Sequence, residues 1–143
     1  MKLKVAWIGK TKDASMATLT EEYVKRIGRY AQVEALELRS EEALLELVEK
    51  ARPVFVLLDL RGKELSSEEL AEFLGAQQER GTKRLLFAVG PENGFSAAAR
   101  HAANFRLSLG KLTLPHELAR VVLVEQLYRA FTIRAGHPYH LGH

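Results

Sequence analysis

Cysteine is absent from this chain of 143 residues, which excludes disulfides, cysteine-based zinc sites and thiol nucleophiles. No apolar run approaches the ~20 residues of a membrane span. Residues 1–9 are too short a stretch, and too soon broken by Gly9-Lys10, to act as a signal peptide, so a cytoplasmic protein is expected. Neither G-x-G-x-x-G nor G-x-x-x-x-G-K-[ST] occurs. Lys111 follows Gly110, but no second Gly precedes it at Walker spacing, so a Rossmann dinucleotide site or an NTPase has little support. Repeats, linkers and low-complexity tracts are also missing. With 47% hydrophobic residues the chain amounts to a single domain over residues 1–143 that buries a proper core.

The formal charge is +3 and the pI about 9.3, a balance that suits a polyanionic partner. The charge is unevenly spread. Lys2, Lys4, Lys10, Lys12, Lys25, Arg26 and Arg29 crowd the first thirty residues, whereas residues 40–80 are rich in Glu. Two readings stand side by side: one basic face, or an ordinary solvated helix surface.

Strand-like and helix-like segments alternate. Residues 3–9 read as a short apolar strand and 33–39 as an alternating one, with Thr18 and Glu21 forming a capping box for a helix between them, through Tyr30. Ser40 caps a helix over 41–51 that stops before Pro53. Residues 54–60 and 85–89 are continuous apolar strands, as parallel strands covered on both faces tend to be. Ser66 with Glu69 opens a helix to about Arg80, Ser96 caps a short one to Asn104, and 105–109 is a weaker strand. A last helix runs from about Glu117 to Arg134, ended by Gly136 and Pro138. This order predicts an α/β fold, a mostly parallel sheet with helices on both faces.

Two loops follow strands and are rich in Gly and Pro: Gly90-Pro91-Glu92-Asn93-Gly94, and residues 109–116 with Leu109-Gly110-Lys111-Leu112-Thr113-Leu114. Each is either a tight connection or a place where main-chain groups grip a small polar ligand, since ligands in open α/β sheets sit beyond the carboxyl ends of strands. The last helix is apolar nearly all round, through Val121, Val122, Leu123, Val124, Leu127, Phe131 and Ile133. A partner subunit is the expected second cover, giving a homodimer with this helix in the interface; a central core helix in a monomer is the alternative. In the tail, His137, Tyr139, His140 and His143 offer either a weak metal site or a surface for stacking a base and managing a proton. No carboxylate lies near them in sequence, and no metal is expected.

Four ordered stretches carry a family resemblance. They are Gly90-Pro91-Glu92-Asn93-Gly94-Phe95-Ser96, then Leu112-Thr113-Leu114-Pro115-His116-Glu117-Leu118-Ala119-Arg120-Val121, then Glu125-Gln126-Leu127-Tyr128-Arg129-Ala130, and His137-Pro138-Tyr139-His140. With Leu58-Asp59-Leu60-Arg61-Gly62-Lys63 they make the whole chain resemble the ribosomal RNA large subunit methyltransferase H family, part of the SPOUT superfamily. The resemblance implies a C-terminal trefoil knot, an exception to the usual rule against knotted chains. It implies methyl transfer from S-adenosylmethionine to N3 of a pseudouridine in 23S ribosomal RNA of the assembled ribosome.

Carried onto this chain, the cofactor falls to Leu58, Gly90, Leu109, Gly110, Lys111, Leu112, Thr113 and Leu114, with leucines enclosing the adenine. Tyr139, His140 and His137 would position the base and assist loss of its N3 proton. His116, Arg120 and Arg129 are the candidate RNA contacts, although arginines on such a helix also pair with carboxylates such as Glu125. Val89 stands where the family commonly has a first Gly, Asn93 lengthens that loop by one residue, and Leu141 stands where some members carry Arg. The rival readings are a non-catalytic ribosome- or RNA-binding protein of the same fold, and a SPOUT enzyme acting on transfer RNA.

Overall fold

The computed structural model describes residues 1–142, apart from the side chain of His140. Five strands form one sheet: β1 (Lys2–Ile8), β2 (Gln32–Leu38), β3 (Val54–Glu64), β4 (Arg84–Val89) and β5 (Phe105–Ser108). Their order is β2-β1-β4-β3-β5, and every pairing is parallel. The helices are α1 (Ala14–Ile27), α2 (Glu41–Ala51), α3 (Ser67–Glu79), α4 (Ala97–Ala102) and α5 (His116–Ala135), followed by a 3-10 turn over Pro138–Gly142.

Alternation along the central strands sends side chains to two cores, because successive residues of a strand point to opposite faces. Leu3, Val5, Trp7, Leu85, Phe87 and Val89 meet α1, α3 and α5 on one face. Ala6, Ile8, Phe55, Leu57, Leu86 and Ala88 meet Leu44 of α2 and Ala99 of α4 on the other. Strands buried on both faces explain the unbroken apolar runs of β3 and β4.

Caps place most of the boundaries. Ser40, Ser66 and Ser96 accept the N–H of Ala43, Glu69 and Ala99, and Glu69 returns the bond to Ser66 in a full capping box. The expected box of Thr18 and Glu21 does not form. Asp13 caps α1 instead, its carboxylate accepting the Met16 N–H at 3.0 Å, so the helix begins five residues earlier and both residues lie inside it. At the other end Gly136 closes α5 at φ 72°, a conformation that costs glycine little.

β3 is longer than its apolar run. Against β5 its register slips between Leu58 and Lys63, both opposite Leu107, so residues 59–62 bulge out of the ladder. Gly62 permits this, since a Cβ there would lie 2.7 Å from the carbonyl carbon of Arg106. Asn104 fixes the start of β5 through paired bonds with Phe55, its Oδ1 accepting the Phe55 N–H at 2.7 Å and its own N–H reaching the Phe55 carbonyl at 2.8 Å.

α5 is buried from two sides within its own chain, between α1 and α3 and over the sheet, so its apolar circumference does not require a partner. What remains half-buried is a stripe of Leu118, Val122, Glu125, Gln126, Arg129 and Ile133. No described helix is long and apolar enough to cross a membrane.

Candidate active site

A cleft opens at the carboxyl ends of β3, β4 and β5. Leu58, Gly90, Leu109, Gly110, Leu112, Thr113 and Leu114 line it, together with Glu92, Phe95 and His116. Seven of the eight residues expected at a cofactor therefore meet in one place. Lys111 is the exception: it is exposed and stands outside the lining, alone among residues 109–114.

The loops hold their shape through main-chain bonds. Gly94 N–H reaches the Pro91 carbonyl at 2.8 Å, and Gly94 and Gly110 sit at φ 78° and 129°, where a side chain would be strained. Ser108 Oγ accepts the Gly110 N–H at 3.1 Å and donates to the Gly110 carbonyl at 2.9 Å, pinning the second loop at its root. Gly90 packs against the Phe95 ring, which a Cβ would approach to 3.0 Å. Leu112 is 83% exposed, an apolar side chain standing over an apolar cleft with nothing of its own chain to cover it.

The first turn of α5 serves two surfaces. His116 and Ala119 face the cleft, while Glu117 and Arg120 face the β1–α1 loop, residues 9–13. Glu117 accepts the N–H groups of Lys12 and Asp13 at 2.9 and 3.0 Å, which hold its carboxyl below the usual range. Arg120 is fully buried. Its guanidinium donates to Thr11 Oγ1 at 2.8 Å and to the Ile8 carbonyl at 2.9 Å, and lies 5.6 Å from the Trp7 ring. Burial pulls its pKa down, and Glu117 and Glu37 offset part of that. The expectation that Arg120 touches RNA is thus corrected, since a side chain with no exposed surface cannot reach a phosphate.

Arg129 is also engaged, in a two-pronged bond to Glu125 at 2.7 and 3.1 Å, with both side chains mostly buried. His116 is partly exposed at the cleft, its Nε2 3.9 Å from Glu117. The tail folds back on the other end of α5. Tyr139 donates to Glu125 at 2.9 Å, contacts the Tyr23 hydroxyl at 3.2 Å, and packs edge-on to Tyr128 with ring centroids 4.7 Å apart. Burial, then the bonds to Tyr23 and Glu125, raise its pKa well above the ordinary phenol value. At neutral pH this phenol is a donor, not a base. His137 accepts the Tyr139 N–H at 3.2 Å, and the His140 side chain lies outside the described residues. Neither Tyr139 nor His137 lines the cleft of its own chain.

The model of the predicted SPOUT methyltransferase family matches residues 1–140. The ribosomal RNA large subunit methyltransferase H of Koribacter versatilis is 56% identical, covering 100% of both chains. The chain belongs to the ribosomal RNA large subunit methyltransferase H family of SPOUT methyltransferases. Other family members include those of Geobacter sp. strain M21, 44% identical over 98% of this chain and 99% of that one, and Deinococcus radiodurans, 44% identical over 99% and 100%. Solved SPOUT-like folds agree on architecture alone. A probable methylase family protein from Haemophilus influenzae aligns with TM-score 0.64 at 13% identity, over 96% of this chain and 69% of that one. The methyltransferase AviRb of Streptomyces viridochromogenes, in complex with the cofactor AdoMet, gives 0.52 at 14%, over 95% of this chain and 61% of that one.

Sequence reasoning missed two features of this family member. One is the clamp of Glu117 and the buried Arg120 on residues 9–13. The other is the bulge at 59–62, whose signal was a glycine, Gly62, two residues past a strand-like run.

Proposed function

We propose that this protein transfers a methyl group from S-adenosylmethionine to N3 of a pseudouridine in large-subunit (23S) ribosomal RNA, acting on the assembled ribosome in the cytoplasm. One observation carries the reading: the cleft gathers seven of the residues that the family resemblance assigns to the cofactor, in a chain 56% identical to a named ribosomal RNA large subunit methyltransferase H. The donor set suits a nucleoside. Leu58, Leu109, Leu112 and Leu114 supply apolar walls, and Gly90 and Gly110 leave main-chain groups open to close approach.

Bound there, S-adenosylmethionine supplies an electrophilic methyl carbon on a sulfonium. The chain contributes position. Its loops hold the methyl donor against the sheet edge, and in-line placement of the RNA nitrogen supplies much of the acceleration. The N3 proton must leave before the nitrogen's lone pair bonds to carbon. His137 and His140 are the acceptors in this reading, and Tyr139, kept protonated, orients the base as a donor.

Because the tail lies along α5 and outside its own cleft, the reading places it in a partner's site. The homodimer forms over the half-buried stripe of α5, and the C-terminal segment of the single domain carries the knot of the superfamily. Among the described residues no group of three or more His, Asp and Glu side chains is placed to hold a metal ion.

The test is mass mapping of large-subunit RNA from cells lacking the protein, joined to calorimetric titration with S-adenosylmethionine. Loss of the N3-methyl mark and a saturable heat of binding are expected. A mark that persists overturns the substrate; an absence of heat and of thermal stabilisation overturns the enzyme.

A further inference from the structure

Two arginines of α5 are committed inside the protein, Arg120 to residues 9–13 and Arg129 to Glu125, while the exposed Arg134 lies across Gly75 of α3. A different set stands where a polyanion would approach. Arg61 on the β3 bulge, Arg100 on α4 and Arg106 on β5 line a cavity that adjoins the cleft and shares Leu58, Asp59, Leu60 and Gly94 with it. We propose that Arg61, Arg100 and Arg106 grip the phosphodiester backbone of the substrate RNA beside the methyl donor, an inference that rests on the RNA-methylating activity proposed above.

The bulge builds this cluster. Asp59 Oδ1 accepts the Arg61 N–H at 3.0 Å, turning the chain, and the missing Cβ of Gly62 lets that turn abut the backbone of Arg106. Arg61 and Arg106 thereby stand on touching stretches of main chain. Arg100 Nη1 donates to the Phe95 carbonyl at 2.7 Å, which fixes its guanidinium at the foot of the 90–94 loop. Arg106 lies 4.0 Å from Asp59 with its own side chain 52% exposed, and the Arg61 side chain has no partner among the described residues. A guanidinium presents paired donors that match two phosphate oxygens, so such forks suit a phosphodiester better than lysines do. Two acids share the cavity. Asp59 is largely covered and occupied by Arg61 and Arg106, whereas Glu92 is exposed and has no side-chain partner among the described residues. Glu92 therefore opposes the three cations and gives the inference a sign.

The experiment measures binding of the full-length protein to intact ribosomes and to a protein-free transcript of large-subunit RNA, between about 50 and 200 mM salt. For R61Q/R106Q the log–log salt slope should become shallower by about 1.4, which is about 0.7 for each phosphate of unpaired RNA that is no longer neutralised. Glu92→Gln should tighten RNA binding several-fold, and calorimetry should find S-adenosylmethionine affinity within about 2-fold of wild type in R61Q/R106Q. If the double variant does not fold, Arg61→Gln alone carries the test with a slope change of about 0.7. An unchanged slope, or weaker cofactor binding with RNA binding intact, overturns the assignment. Methyl transfer with RNA binding indifferent to these arginines sinks the phosphate grip alone. RNA binding that needs the arginines in a protein that transfers no methyl group sinks the activity alone.

Discussion

Two rims at the carboxyl edge of the sheet are built in opposite ways. Around residues 9–13, charged side chains of α5 hold the loop: the buried Arg120 takes the Ile8 carbonyl and the Thr11 hydroxyl, and the half-buried Glu117 takes two successive N–H groups. Around residues 90–94 and 109–115, glycine turns and one serine hold the loops, and Leu112 stands almost wholly exposed. The first rim has spent its polar groups within the protein. The second keeps main-chain groups and apolar side chains available, as a ligand site must. Sharing a helical turn, His116 and Ala119 on one side with Glu117 and Arg120 on the other, makes the closed rim a support for the open one.

The largest expected effect comes from breaking the closed rim. Arg120→Met keeps much of the bulk but strips the Ile8 carbonyl and Thr11 of their donors, and bonds from a charged donor in a buried place contribute ~1.5–3 kcal/mol each. A loss of about 3 kcal/mol in urea unfolding is expected, allowing for partial recovery by water. Arg120→Lys should recover only part of it, since one ammonium cannot reproduce the fork. Wild-type stability in Arg120→Met would mean that the clamp is decorative.

Next in size is Gly62→Ala, which drives a methyl group into the backbone of Arg106 and should cost about 2 kcal/mol. Because it displaces the bulge, it should also weaken RNA binding more than Arg61→Gln does. Leu112→Ala sharpens the comparison from the other side. Stability should stay within about 0.5 kcal/mol, as for an exposed position, while S-adenosylmethionine affinity falls about 10-fold in calorimetry. A variant that lost stability and kept affinity would reverse the roles assigned to the two rims.

The open rim was legible in the sequence and the closed rim was not, for a physical reason. Gly and Pro punctuate turns locally, so residues 90–94 and 109–115 announced themselves, and the apolar runs of β3 and β4 announced a sheet covered on both faces. The family resemblance then joined the loops into one site. Arg120 and Glu117 act on residues more than a hundred positions away, and nothing in their neighbourhood distinguishes a buried arginine from one facing RNA. The cap of α1 failed similarly: Thr18 and Glu21 have capping-box spacing, but Asp13 lies earlier in the chain and its N–H is itself held by Glu117. Tyr139 was legible as special, yet its raised pKa comes from burial and from Tyr23 and Glu125, contacts made only in the fold.

The smallest effect concerns pH. Two main-chain N–H groups bind the ionised carboxylate of Glu117, so its pKa in the folded protein is depressed relative to the unfolded chain. The unfolded state then takes up the proton first, and stability falls as the medium becomes acidic. The contribution is fully present above the ordinary carboxyl value of about 4.3 and is lost as pH drops through the lower folded-state value. Glu117→Gln removes that charge, so its unfolding free energy should vary less steeply with pH below about 5 than the wild type's, with the two profiles running parallel near neutrality. Thr18→Ala, on the exposed side of α1 away from the clamp, is the control and should track the wild type throughout. Should Glu117→Gln keep the wild-type acid slope, the carboxylate is not bound by residues 12 and 13 in solution, and the closed rim would rest on Arg120 alone.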